Sequence, residues 1–123
     1  MNYFMKTTLV FGASLNPNRY SNLAINKLRA KNIETSAFGL RNGNVADVQI
    51  RTELEKFHNI HTITLYLNEK RQKEYYEQII QLKPERVIFN PGTENPEFYA
   101  LLRNNEIKVE EACTLVLLAT DQY

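Results

Sequence analysis

The chain carries one cysteine, Cys113, in 123 residues. A single thiol closes no internal disulfide, so the fold must rest on burial and hydrogen bonding, and a reducing cytoplasm is the expected setting. Tryptophan is absent; the aromatic content is seven tyrosines and six phenylalanines. No apolar run approaches the ~20 residues of a membrane span. The opening MNYFMKTTLV has too few basic residues and too short an apolar run for a secretory signal, and reads as a lead-in to a first strand. Net charge is only +1, which argues against nucleic acid or an acidic membrane as a partner. The two histidines, His58 and His61, make His-x-x-His, but no further ligands are spaced to join them, so no metal is expected. No Walker loop, nucleophile set or paired-carboxylate motif is present, and binding without turnover is the default expectation. Repeats and linkers are missing too, so residues 1–123 read as one domain.

What is present begins with Lys6–Ser21, KTTLVFGASLNPNRYS. A buried strand, Thr7–Phe11, runs into Gly12-Ala13-Ser14. A polar loop with Arg19 follows, and a helix starts at Ser21 or Asn22. A small residue at such a turn lets the backbone approach a phosphate, and the helix N-terminus offers unpaired N–H groups and about half a positive charge. The dinucleotide fingerprint Gly-x-Gly-x-x-Gly would need three glycines, and only Gly12 is there. Arg19 can meet phosphate oxygens with paired donors. Ser14 and Ser21 can cap the helix, contact a ligand, or both.

Strand and helix patterns then alternate. Asn22–Lys31 reads as a helix with Leu23, Ala24 and Leu28 inward. Ile33–Phe38 reads as a strand closed by Gly39, Val45–Ile50 as a short edge strand, and Thr52–Phe57 as a helical turn. Thr62–Leu67 is a β-branched strand. Asn68 caps a helix over Glu69–Leu82, with Tyr75, Tyr76, Ile79 and Ile80 toward the sheet and Pro84 as its stop. Arg86–Asn90 is a strand, and Pro91-Gly92 a turn. Asn95-Pro96 opens a helix as N-cap and first helical residue, with Phe98, Leu101 and Leu102 inward. Ile107–Val109 is the last strand. The apolar Cys113–Ala119 must be covered, as a strand, a buried helix or an oligomer contact. Cys113 within it reads as a buried, inert thiol.

This order predicts an α/β fold: one Rossmann-like domain, a mostly parallel sheet of five to six strands, helices on both faces. Ligands bind such sheets at the carboxyl ends of the strands, where strand order reverses. Gly12–Ser14, Gly39–Arg41, Tyr66–Asn68 and Asn90–Thr93 all fall at strand ends. No acidic residue follows the second strand in Phe38-Gly39-Leu40-Arg41, which counts against NAD; Arg41 leaves NADP open.

VFGAS…PNRYS at 10–21, the strand ending Tyr66-Leu67, FNPGTENPE at 89–97 and EACT at 111–114 together resemble the small stand-alone CoA-binding domain family, itself related to the CoA-binding domain of the succinyl-CoA synthetase α subunit. The resemblance implies CoA or acyl-CoA as the ligand. By it, Gly12, Ala13 and Ser14 meet the CoA phosphates, with Arg19 and Ser21 at the same end. Gly39, Leu40 and Arg41 border the nucleotide, with Arg41 facing the 3′-phosphate or bulk solvent. Tyr66 and Leu67 line the crevice, and Asn90, Pro91 and Gly92 lie near the pantetheine arm. Two other readings stay open: an NADP-dependent oxidoreductase-like domain, and a regulatory or structural subunit whose ligand stabilises an interface. In the last case a homodimer or a partner protein would cover the apolar tail.

Overall fold

The computed structural model describes residues 6–123, so the lead-in expected at the extreme N-terminus lies outside the described residues. The first strand, β1 (Thr7–Ala13), is buried from Thr8 to Phe11 because both of its faces are packed there. Leu9 and Phe11 enter one apolar cluster, while Val10 and Ala13 enter the other. A strand covered on both sides reads as an unbroken apolar run, and Thr7–Phe11 does. β1 pairs in parallel with β2 (Thr35–Gly39) on one side and β5 (Ile60–Leu65) on the other.

The sheet continues outward from β2 through β4 (Val48–Arg51) to β3 (Gly43–Val45). Outward from β5 lie β6 (Arg86–Phe89) and β7 (Lys108–Glu111). Among the described residues this makes seven strands, in the order β3-β4-β2-β1-β5-β6-β7. Only β3 is antiparallel to its neighbour. The count exceeds the expected five to six because Val45–Ile50 is two strands of a hairpin. Its turn is Ala46-Asp47, with Ala46 at φ 54°. Alanine adopts that left-handed conformation at a cost, and neither residue is an Asn-Gly type of turn signal. The Asp47 carboxylate is held instead by Arg29, at 2.8 Å.

Helix α1 (Tyr20–Ala30) and helix α5 (Thr114–Ala119) cover one face of the sheet. α1 starts one or two residues earlier than expected and buries Ser21, Ala24, Ile25 and Leu28, spaced i, i+3, i+4, i+7. Leu23 falls off that stripe and is 38% exposed. In α5 the buried side chains are Thr114 and Leu118, so the apolar tail is a helix against the sheet, with Val116 outward.

The opposite face holds the larger cluster, covered by α3 (Tyr76–Gln81) and α4 (Pro96–Asn104). α4 opens as its sequence says: the Asn95 side chain accepts from Phe98 N, and Pro96 follows. Leu102 and Phe98 are buried; Leu101, expected inward, stays at the surface. The single helix expected over Glu69–Leu82 is broken into α2 (Glu69–Gln72), a 3-10 turn at Lys73–Tyr75, and α3. Two adjacent tyrosines must reach different places. Tyr75 packs edge-on against Phe11 and Phe38, and Tyr76 stacks on Phe98 at 4.2 Å. The tightened turn accommodates both.

At the C-terminal rim, β1 and β2 approach so closely that a Cβ on Gly39 would collide with the Ala13 carbonyl oxygen. Gly39→Ala should therefore destabilise the fold by about 1–3 kcal/mol. Leu40→Ala, at a side chain 69% exposed, should change urea stability by about 0.5 kcal/mol or less.

Candidate functional site

The chain leaves β1 for β2 on one side, and the later strands build outward from β5 on the other. Strand order therefore reverses beside β1, and a cleft of about 640 Å³ opens there at the carboxyl ends of the strands. Its floor depends on Gly12, which sits at φ +98°. A Cβ there would come within 3.1–3.2 Å of Leu67 and the Tyr66 carbonyl carbon. Glycine alone tolerates both the torsion and the crowding.

From Ala13 the loop Ser14–Arg19 is held by its own polar groups. Ser14 Oγ accepts from Asn16 N, and Asn16 Oδ1 accepts from Asn18 N. Asn22 Nδ2 reaches back to the Ser14 carbonyl at 3.0 Å. Arg19 is the N-cap of α1 by backbone position, with no side-chain cap bond. Ser14 and Ser21 are thus not caps; Asn22 N and Leu23 N donate to Arg19 O, and the N–H groups of Tyr20 and Ser21 keep their capacity for a ligand. No acidic residue occupies that first turn, while Lys27 and Arg29 lie in the last. The helix field at its N-terminus is therefore left for an external anion.

The cleft brings together Gly12, Ala13, Ser14, Arg19, Ser21, Gly39, Leu40, Arg41, Tyr66, Leu67, Pro91 and Gly92. Asn90 is the exception. It is buried, and its side chain ties the ends of β5 and β6 to the start of α5: Nδ2 donates to Thr64 Oγ1 and Leu65 O, and Oδ1 accepts from Thr114 N. It shapes the Pro91-Gly92 turn and does not line the cleft.

Asn68 and Thr93 lie in two of the expected loops; sequence reasoning did not anticipate Leu15, Asn16, Tyr20, Phe38, Arg71 and Tyr75 on the lining. Arg71 matters most chemically. A signal for it existed: Asn68 was legible as an N-cap, which puts Lys70 and Arg71 in a first turn where cations are unfavourable unless an anion comes near. The lining therefore holds Arg19, Arg41 and Arg71 and no Asp or Glu. All three guanidinium groups are at the surface and unpaired with any carboxylate among the described residues.

Tyr66 lies half-buried along one wall. Its Oη is inaccessible and without a hydrogen-bond partner among the described residues. Burial pushes the phenol up to about 12, against a smaller opposing pull from the Thr64 and Thr114 hydroxyls. Those hydroxyls are already bonded to each other at 2.7 Å. The phenol therefore stays protonated at neutral pH and acts as a wall.

Elsewhere, Cys113 is half-buried at the N-cap of α5 and is not part of the lining. His61 sits at the opposite edge of the sheet with Lys6 and Arg86, its pKa lowered first by burial and then by those cations. Among the described residues no three His, Cys, Asp or Glu side chains gather as a metal site. None of the helices described is long and apolar enough to cross a membrane.

A parallel sheet that opens beside its first strand onto a glycine-floored cleft defines the Rossmann-like α/β class. Residues 6–119 match the family described as CoA binding domain, and the chain belongs to that family. An uncharacterised protein of known crystal structure is 40% identical, with 97% of this chain and 98% of that one covered at a TM-score of 0.92. A Thermus thermophilus protein shares the fold at 17% identity, covering 99% of this chain and 96% of its own, with a TM-score of 0.84. A hypothetical protein from Pyrococcus horikoshii OT3 shares it at 21% identity, over 94% of this chain and 82% of its own, with a TM-score of 0.81. No curated protein matches the chain.

Since the Tyr66 hydroxyl is buried without a partner, Tyr66→Phe should leave stability unchanged or raise it by up to about 1 kcal/mol. Thermal melting of the two proteins checks this; a loss of similar size would mean the hydroxyl is bonded in solution.

Proposed function

We propose that this chain binds CoA or an acyl-CoA in the cleft and performs no chemistry on it alone. The observation that carries the reading is the charge of the lining: three unpaired arginines and no carboxylate around a glycine-floored helix N-terminus. CoA supplies a pyrophosphate and a 3′-phosphate, enough anionic groups for such a cleft, and the family membership supports the same ligand. The cradle also suits it, because the tight turn that Gly12 permits brings the Gly12–Ser14 backbone to the floor of the cleft, where N–H groups can meet phosphate oxygens.

In this reading the pyrophosphate rests on Gly12, Ala13 and Ser14 and on the first turn of α1, which includes Ser21. Arg19 supplies paired donors to it. Gly39, Leu40 and Arg41 border the nucleotide, with Arg41 toward the 3′-phosphate. The arm runs along Tyr66 and Leu67 toward Pro91 and Gly92. Arg71, on the facing rim, adds field to the same cleft. The high phenol pKa of Tyr66 and the absence of carboxylates leave the lining without a group poised to exchange protons near pH 7.

Calorimetric titration with CoA, dephospho-CoA and NADP tests the reading. CoA should saturate a single site. Dephospho-CoA should bind more weakly by about 1.5–3 kcal/mol, the worth of a hydrogen bond to a charged group. Arg19→Ala should lose a similar amount on CoA. NADP binding without CoA binding would replace this reading with a nicotinamide-dependent one.

A further inference from the structure

Two rims of the cleft are joined beneath its surface by one buried amide. Gln72, the last residue of α2, is fully buried. Its Nε2 donates to Leu67 O and to Thr93 O, each at 2.8 Å. Its Oε1 accepts from Asn95 Nδ2 at 2.9 Å. Leu67 and Thr93 both line the cleft, and they belong to loops that follow different strands. Both side-chain N–H groups of Gln72 are thus spent on holding those loops at one separation.

The partners of Gln72 are themselves fixed. Asn95 also caps α4 through Phe98 N, and its amide reaches Tyr76 Oη at 2.8 Å. Thr93 is tied to Asn90 O by both its N–H and its hydroxyl. On the other rim, Asn68 Oδ1 accepts from Arg71 N, and Gln72 N donates to Asn68 O. Every link in the chain from α4 to α2 is a directional hydrogen bond inside the protein. A core that needed only volume at position 72 would be served by Leu or Met, without three buried polar bonds to satisfy.

We propose that Gln72 is a positioning residue of this cleft, whose buried amide sets the distance between the Leu67–Arg71 rim and the Pro91–Thr93 rim. The inference rests on the CoA reading for its ligand. There the arm passes between these rims, while the adenosine phosphates lie against Gly12–Ser14 and Arg41. Loosening the staple then acts chiefly on the arm; at the nucleotide end only the field of the exposed Arg71, which water and salt screen, moves with it.

Gln72→Met keeps the volume and removes the donors, and Ile79→Ala weakens the same core from α3, a position outside both loops. Affinities for CoA and for adenosine 3′,5′-bisphosphate, which lacks the arm, are compared across the three proteins. Gln72→Met should bind CoA about tenfold more weakly, the effect of one or two lost buried hydrogen bonds, and the bisphosphate within about twofold of wild type. Ile79→Ala should lose stability but keep both affinities. Backbone hydrogen exchange of the ligand-free proteins should quicken at residues 67–71 and 91–95 together in Gln72→Met, and not selectively there in Ile79→Ala. Equal losses on both ligands, or an unchanged CoA affinity with both rims still protected, would overturn the proposal. If Gln72→Met does not fold, Gln72→Glu serves the same comparisons, since a carboxylate there faces two carbonyl oxygens with no donor. Failure of the wild-type chain to take up CoA would overturn the ligand reading, and the exchange pattern would still decide whether Gln72 couples the rims.

Discussion

Three strand ends are drawn together more tightly at the C-terminal rim than side chains would allow. Gly39 lies against the Ala13 carbonyl, and Gly12 lies against Tyr66 and Leu67. At Gly39 there is no room for a Cβ; at Gly12 a Cβ would be crowded, and the backbone also needs a positive φ. This close approach lets β1 sit centrally between β2 and β5 while its chain turns up into the loop before α1. The cleft, the exposed first turn of α1 and the convergence of four loops all depend on it. A methyl group at Gly39 would push β1 and β2 apart, and one at Gly12 would strain the turn and displace Leu67.

Above that floor, precision comes from buried amides. Asn90 gathers β5, the end of β6 and the start of α5 through three hydrogen bonds. Gln72 gathers the loops after β5 and β6 through two more. These polar groups are satisfied in a low-dielectric interior, where a directional bond is costly to leave unmade. Apolar packing by Phe11, Phe89 and Phe98 supplies bulk stability on one face. Packing alone specifies volume, and a surface loop needs directional contacts as well to hold one conformation. The arginines then act on a preset geometry and need not organise it.

The electrostatic division of the molecule follows the same plan. At the C-terminal rim the cleft has cations without carboxylates. At the opposite edge, Arg86 and Glu110 pair at 3.0 Å, and Arg86 also covers the Tyr123 ring. Arg86 is thus paired at that edge, whereas the three arginines of the cleft face no carboxylate. An overall charge of +1 conceals this, because it averages the two ends.

Much of the fold was legible in local patterns. The run Thr7–Phe11 announced a strand covered on both faces, Asn95-Pro96 announced the start of α4, and Gly12-Ala13-Ser14 and Pro91-Gly92 marked the rim. Twelve of the thirteen expected site positions do line one cleft. The hairpin at Ala46-Asp47 was hidden because an ordinary alanine adopts the left-handed turn and a distant arginine holds the aspartate. The break at Lys73–Tyr75 was hidden because it answers to Phe11, Phe38 and Phe98, all far away in sequence. Asn90 and Arg71 show the same division at the site. By itself the sequence determined the alternation of strands and helices and which loops share the rim, since periodicity and turn chemistry act over a few residues. Only the tertiary structure decided that Asn90 turns inward and Arg71 joins the cleft, because side-chain direction depends on helix phase and strand order, which long-range packing sets.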